Sequence, residues 1–147
     1  MIDDLEKKFV RALNQNARKS CREIAKELGI SVTAVINKMK KFEKLGVIKG
    51  YIPIVDAKYF KFELRAVIAL RLSHQCVMGV QKRIAEDTRV ISIYDITGEW
   101  DSIVIGLFRD TEDLDDFIKN LLSLEGIITS VTHMVLNIVK DEKRVLV

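Results

Sequence analysis

A basic N-terminal stretch with three capped amphipathic segments is followed by an acidic stretch in which strand-length apolar runs alternate with helical ones. This pattern predicts an α+β chain: an N-terminal helix-turn-helix three-helix domain and a C-terminal ferredoxin-like βαββαβ domain. The charge asymmetry is explicit. Residues 1–61 hold 14 Lys+Arg against 7 Asp+Glu, a net of +7, whereas residues 62–147 hold 10 against 14, a net of −4. The rhythm changes around AKYFKFE, so the hinge is placed between Asp56 and Glu63 and the domains are read as 1–61 and 62–147.

In the first domain, Asp3 caps a helix running to Gln15, with Glu6 at the third helical position and Leu5, Phe9, Ala12 and Leu13 on one face. Ser20 starts a second helix, with Glu23 three residues on, Ile24, Ala25 and Leu28 as its apolar side, and Gly29 where a left-handed cap belongs. Ser31 caps a third, which runs to about Lys44 and stops at Leu45-Gly46. Val35, Met39 and Phe42 form its apolar stripe at i, i+4, i+7. The residues left facing outward are Thr33, Ile36, Asn37, Lys40, Lys41 and Lys44, with Lys38 adding to the basic run. Two short helices joined by a tight glycine turn, the second with a basic, amide-bearing face, make a unit that lays that face in a DNA major groove. Lysines there neutralise phosphates, Asn37 matches the N6/N7 edge of adenine, and Thr33 and Ile36 suit a thymine methyl. The plainer alternative is a three-helix core with a solvated basic face. VIKGYIPIVD then alternates as a strand, its far end demoted to an edge by Pro53.

In the second domain, LRAVIALRL (64–72), VISIYDIT (90–97), SIVIGLF (102–108) and IITSVTHMVLNIV (127–139) read as strands, and 77–87 as a helix with Val77, Val80 and Ile84 on one side. TEDLDDFIKNLLSLEG is a helix with Thr111 as cap, Leu114, Phe117, Ile118 and Leu121 as its face and Gly126 as its stop. In a βαββαβ plan both helices cover one face of the sheet. The other face should be polar, yet Val67, Ala69, Ile103, Ile105 and Leu107 lie opposite Ile68, Leu70, Val104 and Phe108. A second copy across a two-fold axis is the simplest cover, so a homodimer is expected.

Composition excludes several classes. With 147 residues, 48% hydrophobic and 31% charged, no apolar run approaches the ~20 residues of a membrane span. MIDDLEKKF is acidic where a signal peptide is basic, so a cytoplasmic location and no membrane partner are expected. Cys21 and Cys76 are far apart with no CxxC and no His partner, which predicts neither disulfide framework nor metal site. No Ser-His-Asp or Cys-His arrangement and no phosphate-cradling glycine loop is present, so no catalytic residue and no cofactor is assigned.

Over essentially its full length the chain resembles the Lrp/AsnC (feast/famine) family of transcription regulators. The resemblance rests on IDDLEKKFVRAL, ARKSCREIAKELGIS, TAVINKMKKFEKLGVIKGY, TGEWD and the final strand with Thr132. Lys38 stands where the family usually has Arg, Val32 where it has Pro, and Glu6 where it has Asp. The resemblance implies a domain that binds double-stranded DNA, joined by a strand to a RAM-type domain that dimerises through its sheets and commonly assembles to octamers. It also implies an amino acid or related small-molecule effector held between subunits. The matching positions are Thr97, Gly98, Trp100 and Asp101 of the hairpin turn, and Ser130, Thr132 and Met134 of the last strand. Their chemistry suits such a ligand. Gly98 admits close backbone approach, Asp101 accepts from an α-ammonium group, and Ser130 and Thr132 serve a carboxylate or amide. TGEWD is equally compatible with a plain hairpin turn in which Asp101 caps a backbone N–H. Two other functions stay open. One is an effector-sensing module without DNA binding; the other is a sirohaem decarboxylase of the same build, which needs several His and Arg where this chain has only His74 and His133.

Overall fold

The structure, a computed structural model, describes residues 3–73 and 77–147. His74, Cys76 and the side chain of Val77, all singled out in the sequence, lie outside the described residues. The chain divides into two compact units, one of residues 1–54 with 140–147 and one of residues 55–139. The sequence places the boundary after 61 and the last eight residues with the sheet. Those eight residues instead group with the helices.

The helical unit contains α1 (Asp4–Gln15), α2 (Cys21–Leu28) and α3 (Val32–Lys44). Their starts are set by side chains that satisfy orphan N–H groups. Asp3 accepts from Glu6 N at 2.7 Å, Ser20 and Glu23 form a reciprocal capping box, and Ser31 accepts from Ala34 N at 3.1 Å. The α3 terminus closes as a Schellman motif: Gly46 has φ +68°, its N–H reaches Glu43 O, and Val47 N reaches Phe42 O at 2.9 Å. Phe9, Leu13, Ile24, Ala25, Val35 and Phe42 make the core, with Phe9 and Phe42 edge to face at 5.6 Å.

The strand expected over Val47–Asp56 is not formed. Val47 and Ile48 spend their N–H groups on Phe42 O, and Tyr51 turns back to α3, its hydroxyl at 3.2 Å from Glu43 Oε1. The remainder has no ladder to join, because a strand needs a paired backbone and its chain neighbours are helical. Ile52, Ile54 and Val55 are left 80%, 76% and 60% exposed.

The second unit is a four-stranded antiparallel sheet of β1 (Leu64–Leu72), β2 (Val90–Asp95), β3 (Ser102–Phe108) and β4 (Ile127–Met134), with α4 (Val77–Ala85) and α5 (Thr111–Leu122). Strand order is β2-β3-β1-β4, the ferredoxin-like plan. Ala66, Ile68, Leu70 and Leu72 of β1 and Val104 and Phe108 of β3 pack under Val80, Ile84, Leu114, Phe117 and Leu121 of the helices. Gly106 belongs to that packing: a Cβ there would lie 2.6 Å from the buried Phe108 ring. Five boundaries differ from expectation, two of them because α4 stops at Ala85 and β2 at Asp95, each two residues short of its sequence range. The α5 cap is Asp110, not Thr111, because the Asp110 carboxylate reaches Asp113 N at 2.8 Å. That helix ends at Leu122, and Gly126, at φ +98°, instead turns the chain into β4. The last strand stops at Met134 rather than running to 139, its ladder with β1 ending at Ala66 apart from one further bond from Val135 N to Arg65 O.

Candidate nucleic-acid interface and effector site

The helix-turn-helix face is built by the two glycine-closed turns. With Val35 fully buried and Phe42 nearly so, the α-helical period turns Thr33, Ile36, Asn37, Lys40, Lys41 and Lys44 outward, and all six are exposed. Ile36 is 38% exposed, an apolar side chain presented to solvent among cations. Ser31 is a structural cap here, its hydroxyl oxygen engaged by Ala34 N. Lys38 departs from the sequence reading. Its ammonium lies 5.6 Å from the Phe42 ring centroid and 3.7 Å from Glu6 Oε1, so it packs against its own fold. Lys41 also reaches Glu6, at 3.4 Å, while remaining mostly exposed. The freely presented cations of α3 are therefore Lys40 and Lys44. Arg22 and Lys26, exposed at i, i+4 on α2, add two that the sequence reading misses. Their spacing alone marks them as one stripe.

The effector candidates fall into separate groups. The β2–β3 turn places Gly98 at φ +115°, with Thr97 and Gly98 exposed and Trp100 half-buried. Arg71 stacks on Trp100 with its guanidinium carbon 5.4 Å from the ring centroid, and donates to Glu99 O at 3.0 Å. Asp101 ties the turn to β1: its N–H donates to Leu70 O at 2.9 Å, and its Oδ2 accepts from Leu72 N at 2.7 Å. The backbone-capping alternative thus holds for one carboxylate oxygen, which leaves the other for a further donor. Behind the turn, Gln81 donates to both Asp95 and the fully buried Ser102, a polar knot that fixes the hairpin base.

Ser130 pairs with Leu70, Thr132 with Ile68 and Met134 with Ala66. Ser130 is thus level with Ser102, one residue from Asp101, but β1 lies between the two strands, a separation of two strand spacings or about 10 Å. Met134 lies six β1 residues from the turn, about 20 Å at ~3.3 Å per residue. Beside it a cavity of about 320 Å³ is lined by Lys58, Glu63, Arg65 and residues 135–138. One small molecule within one subunit cannot touch the turn and Met134 together. A further cluster lies elsewhere: Arg89 bonds Asp87, Asp113 and Asp116 at 2.7–2.9 Å and covers Phe117, joining the start of β2 to the first turn of α5. Its guanidinium holds the Asp87 carboxyl below the usual range, and the Arg109 N–H followed by Arg89 does the same for Asp113. Among the described residues no group of three or more His, Cys, Asp or Glu is placed to hold a metal ion, and no helix is long and apolar enough to cross a membrane.

A capped helix-turn-helix with a cationic, amide-bearing face, on a chain whose other unit is a helix-backed ferredoxin-like sheet, defines a DNA-binding regulator with a sensor-type domain. Residues 2–49 match the winged helix-turn-helix DNA-binding family, and residues 65–145 match the Lrp/AsnC ligand-binding domain. The chain belongs to the Lrp/AsnC family of transcriptional regulators. It is 38% identical over 144 residues to an uncharacterised HTH-type transcriptional regulator of Pyrococcus abyssi, covering 98% of both chains. It is 36% identical over 118 residues, 80% of both chains, to the HTH-type transcriptional regulator Ptr1 of Methanocaldococcus jannaschii. In fold it is similar to a Neisseria meningitidis transcriptional regulator solved with L-methionine, with TM-score 0.93, 20% identity and 99% and 96% coverage. It is likewise similar to AsnC of Escherichia coli, with TM-score 0.91, 23% identity and 97% coverage of both.

Proposed function

We propose that this regulator binds a pseudo-palindromic duplex as a homodimer, assembling further towards an octamer, and that an amino acid or related small molecule held between subunits tunes its assembly or DNA binding. Residues 1–61 serve DNA and the link to the second unit, residues 62–139 the effector and assembly, and the protein works in the cytoplasm without catalytic activity. The observation that carries the DNA part is the outward row of Thr33, Ile36, Asn37, Lys40 and Lys44 on a helix whose opposite side is locked into a core. Lys38 is assigned to the support of that helix rather than to the groove. The effector part is supported by the open turn at Gly98, the second oxygen of Asp101, and the distance to Met134, which a site shared between subunits accommodates. The amino acid bound to the Neisseria relative agrees with that class of ligand.

The test is direct. Asn37→Ala costs about 1–3 kcal/mol of discrimination between the promoter site and a site mutated at one base, whereas Lys40→Ala weakens all duplexes alike and lowers the salt slope by about 1. Unchanged affinity and slope in both variants refutes the assignment of the α3 face. A thermal-shift and gel-shift screen of the twenty amino acids on the protein's own promoter tests the effector. A ligand that acts on the wild type but not on Asp101→Asn supports the turn as its site, and no response to any amino acid removes that ligand class.

A further inference from the structure

Residues 140–147 follow the last strand of the sheet unit yet group with the helices. Two side chains of α1 hold them: Arg11 Nε donates to Val147 O at 2.6 Å, and Asn14 Nδ2 donates to Val145 O at 2.9 Å. Arg11 and Asn14 are three residues apart and so share one face of the helix. In return, Arg144 Nη1 donates to Asn14 O at 3.4 Å, in the last turn of α1, where carbonyls lack intrahelical partners. Arg144 is itself braced by Glu142 through contacts of 2.7 and 2.6 Å. Val145 and Leu146 remain 77% and 66% exposed, so directional bonds rather than burial hold the segment, and such contacts open readily.

The opposite side of α1 touches the DNA-reading helix, through Phe9 against Phe42 and through Glu6 with Lys38 and Lys41. The chain passes between the compact units twice, after Ile54 and again after Val139. Only six residues, at most about 20 Å of extended chain, lead from Met134 at the end of β4 to Lys140. The first of them, Val135, is still bonded to β1 through Arg65 O at 2.9 Å.

We infer that residues 140–147 are a strap, gripped by Arg11 and Asn14 of α1, that gives the helix-turn-helix unit a second connection to the last strand and so restricts the spacing at which a dimer presents its two recognition helices. A unit held by one linker samples many orientations, and duplexes of different half-site spacing then bind alike. A unit held at two points does not, and discriminates among them. The inference rests on the DNA reading proposed above.

The experiment uses the full chain, the variant Arg11→Ala/Asn14→Ala, and a chain ended at Val139 in case the double variant folds poorly. Duplexes carry one half-site, or two at the preferred spacing, or two lengthened by half a helical turn, about 5 base pairs. Trypsin cleavage after Arg144, followed by mass spectrometry, reads the grip without reference to DNA. Cleavage is expected to be about tenfold faster in the double variant, and spacing discrimination about tenfold weaker in both altered chains, the ratio that one or two net hydrogen bonds supply. Affinity for the single half-site should stay within about twofold of wild type. Equal cleavage of wild type and double variant overturns the grip, and unchanged discrimination in the chain ended at Val139 overturns its role. Wild-type protein that binds no duplex refutes the DNA reading and the strap's role together, while the cleavage rates still decide whether the grip exists.

Discussion

Glu6 and Lys38 depart from the residues the family usually carries, Asp and Arg, and the structure brings the two departures into one ion pair. Shortening the cation and lengthening the anion by about the same amount keeps the contact across α1 and α3, although the bidentate fork of an arginine is lost. The pair also explains why the sequence pattern misplaces Lys38. The α3 stripe follows from residue spacing within one helix, and Thr33, Ile36, Asn37, Lys40 and Lys44 are legible for that reason. The direction of Lys38 depends on a carboxylate supplied by a different helix, which spacing within α3 does not encode. We expect Glu6→Gln to release Lys38 and Lys41 towards phosphates. Nonspecific DNA affinity should rise and the log–log salt slope steepen by about 1, while folding stability changes by about 1 kcal/mol or less because the contacts are long and partly hydrated. Salt titrations on a scrambled duplex check this, and a slope equal to that of wild type would show that Glu6 restrains neither lysine.

Element ends show the same division between local and distant causes. The caps at Asp3, Ser20 and Ser31 are readable because donor and acceptor lie three residues apart. At α5 two candidates compete, and Asp110 wins over Thr111 because its carboxylate reaches the N–H at position three while its backbone stays extended. The Arg89 cluster is not legible at all, since its carboxylates come from the loop before β2 and from α5. It has a measurable consequence. Asp87 and Asp113 have folded-state pKa values below their ordinary value of 3.8, so they bind protons less readily when folded than when unfolded. Their contribution to stability is fully present above about pH 5 and is lost as pH falls through and below 4. Urea unfolding followed from pH 7 to pH 3 should show stability falling in that window. Arg89→Gln should cost about 1–3 kcal/mol at pH 7 and approach the wild type at pH 3. A variant that runs parallel to wild type across the whole range would show that these carboxylates draw their low pKa from elsewhere.

At the scale of the molecule the unanswered surface is apolar. The sheet face away from α4 and α5 carries Val67, Ile103, Ile105 and Leu107, half-buried by their neighbours, with Tyr94 and Val131 more exposed beside them. The segment read as a strand adds Ile52, Ile54 and Val55, exposed and in no ladder of the single chain. A ladder without a partner and a sheet face without a cover are both met by a second copy related by a two-fold axis, which is the assembly proposed above. The sequence alternation reveals the need for a cover, and the missing ladder explains why the strand prediction fails within one subunit. Ile105 sits at the centre of the open face, paired with Val67 on one side and Ser92 on the other. Replacing it by Lys leaves the helix-covered core untouched but places a charge where the partner sheet must dehydrate it, at a cost of several kcal/mol per site and two sites per dimer. Ile105→Lys should therefore sediment as a monomer at ~10 μM, a concentration at which an apolar interface of standard size stays closed. It should lose far more affinity for a two-half-site duplex than for a single half-site, because two tethered recognition helices bind the second half-site at high effective concentration and two separate ones do not. Ile52→Asp/Ile54→Asp probes the linking segment in the same assay. If Ile105→Lys remains dimeric while Ile52→Asp/Ile54→Asp dissociates, the paired linkers and not the sheets hold the dimer; if both stay assembled, neither surface is the interface.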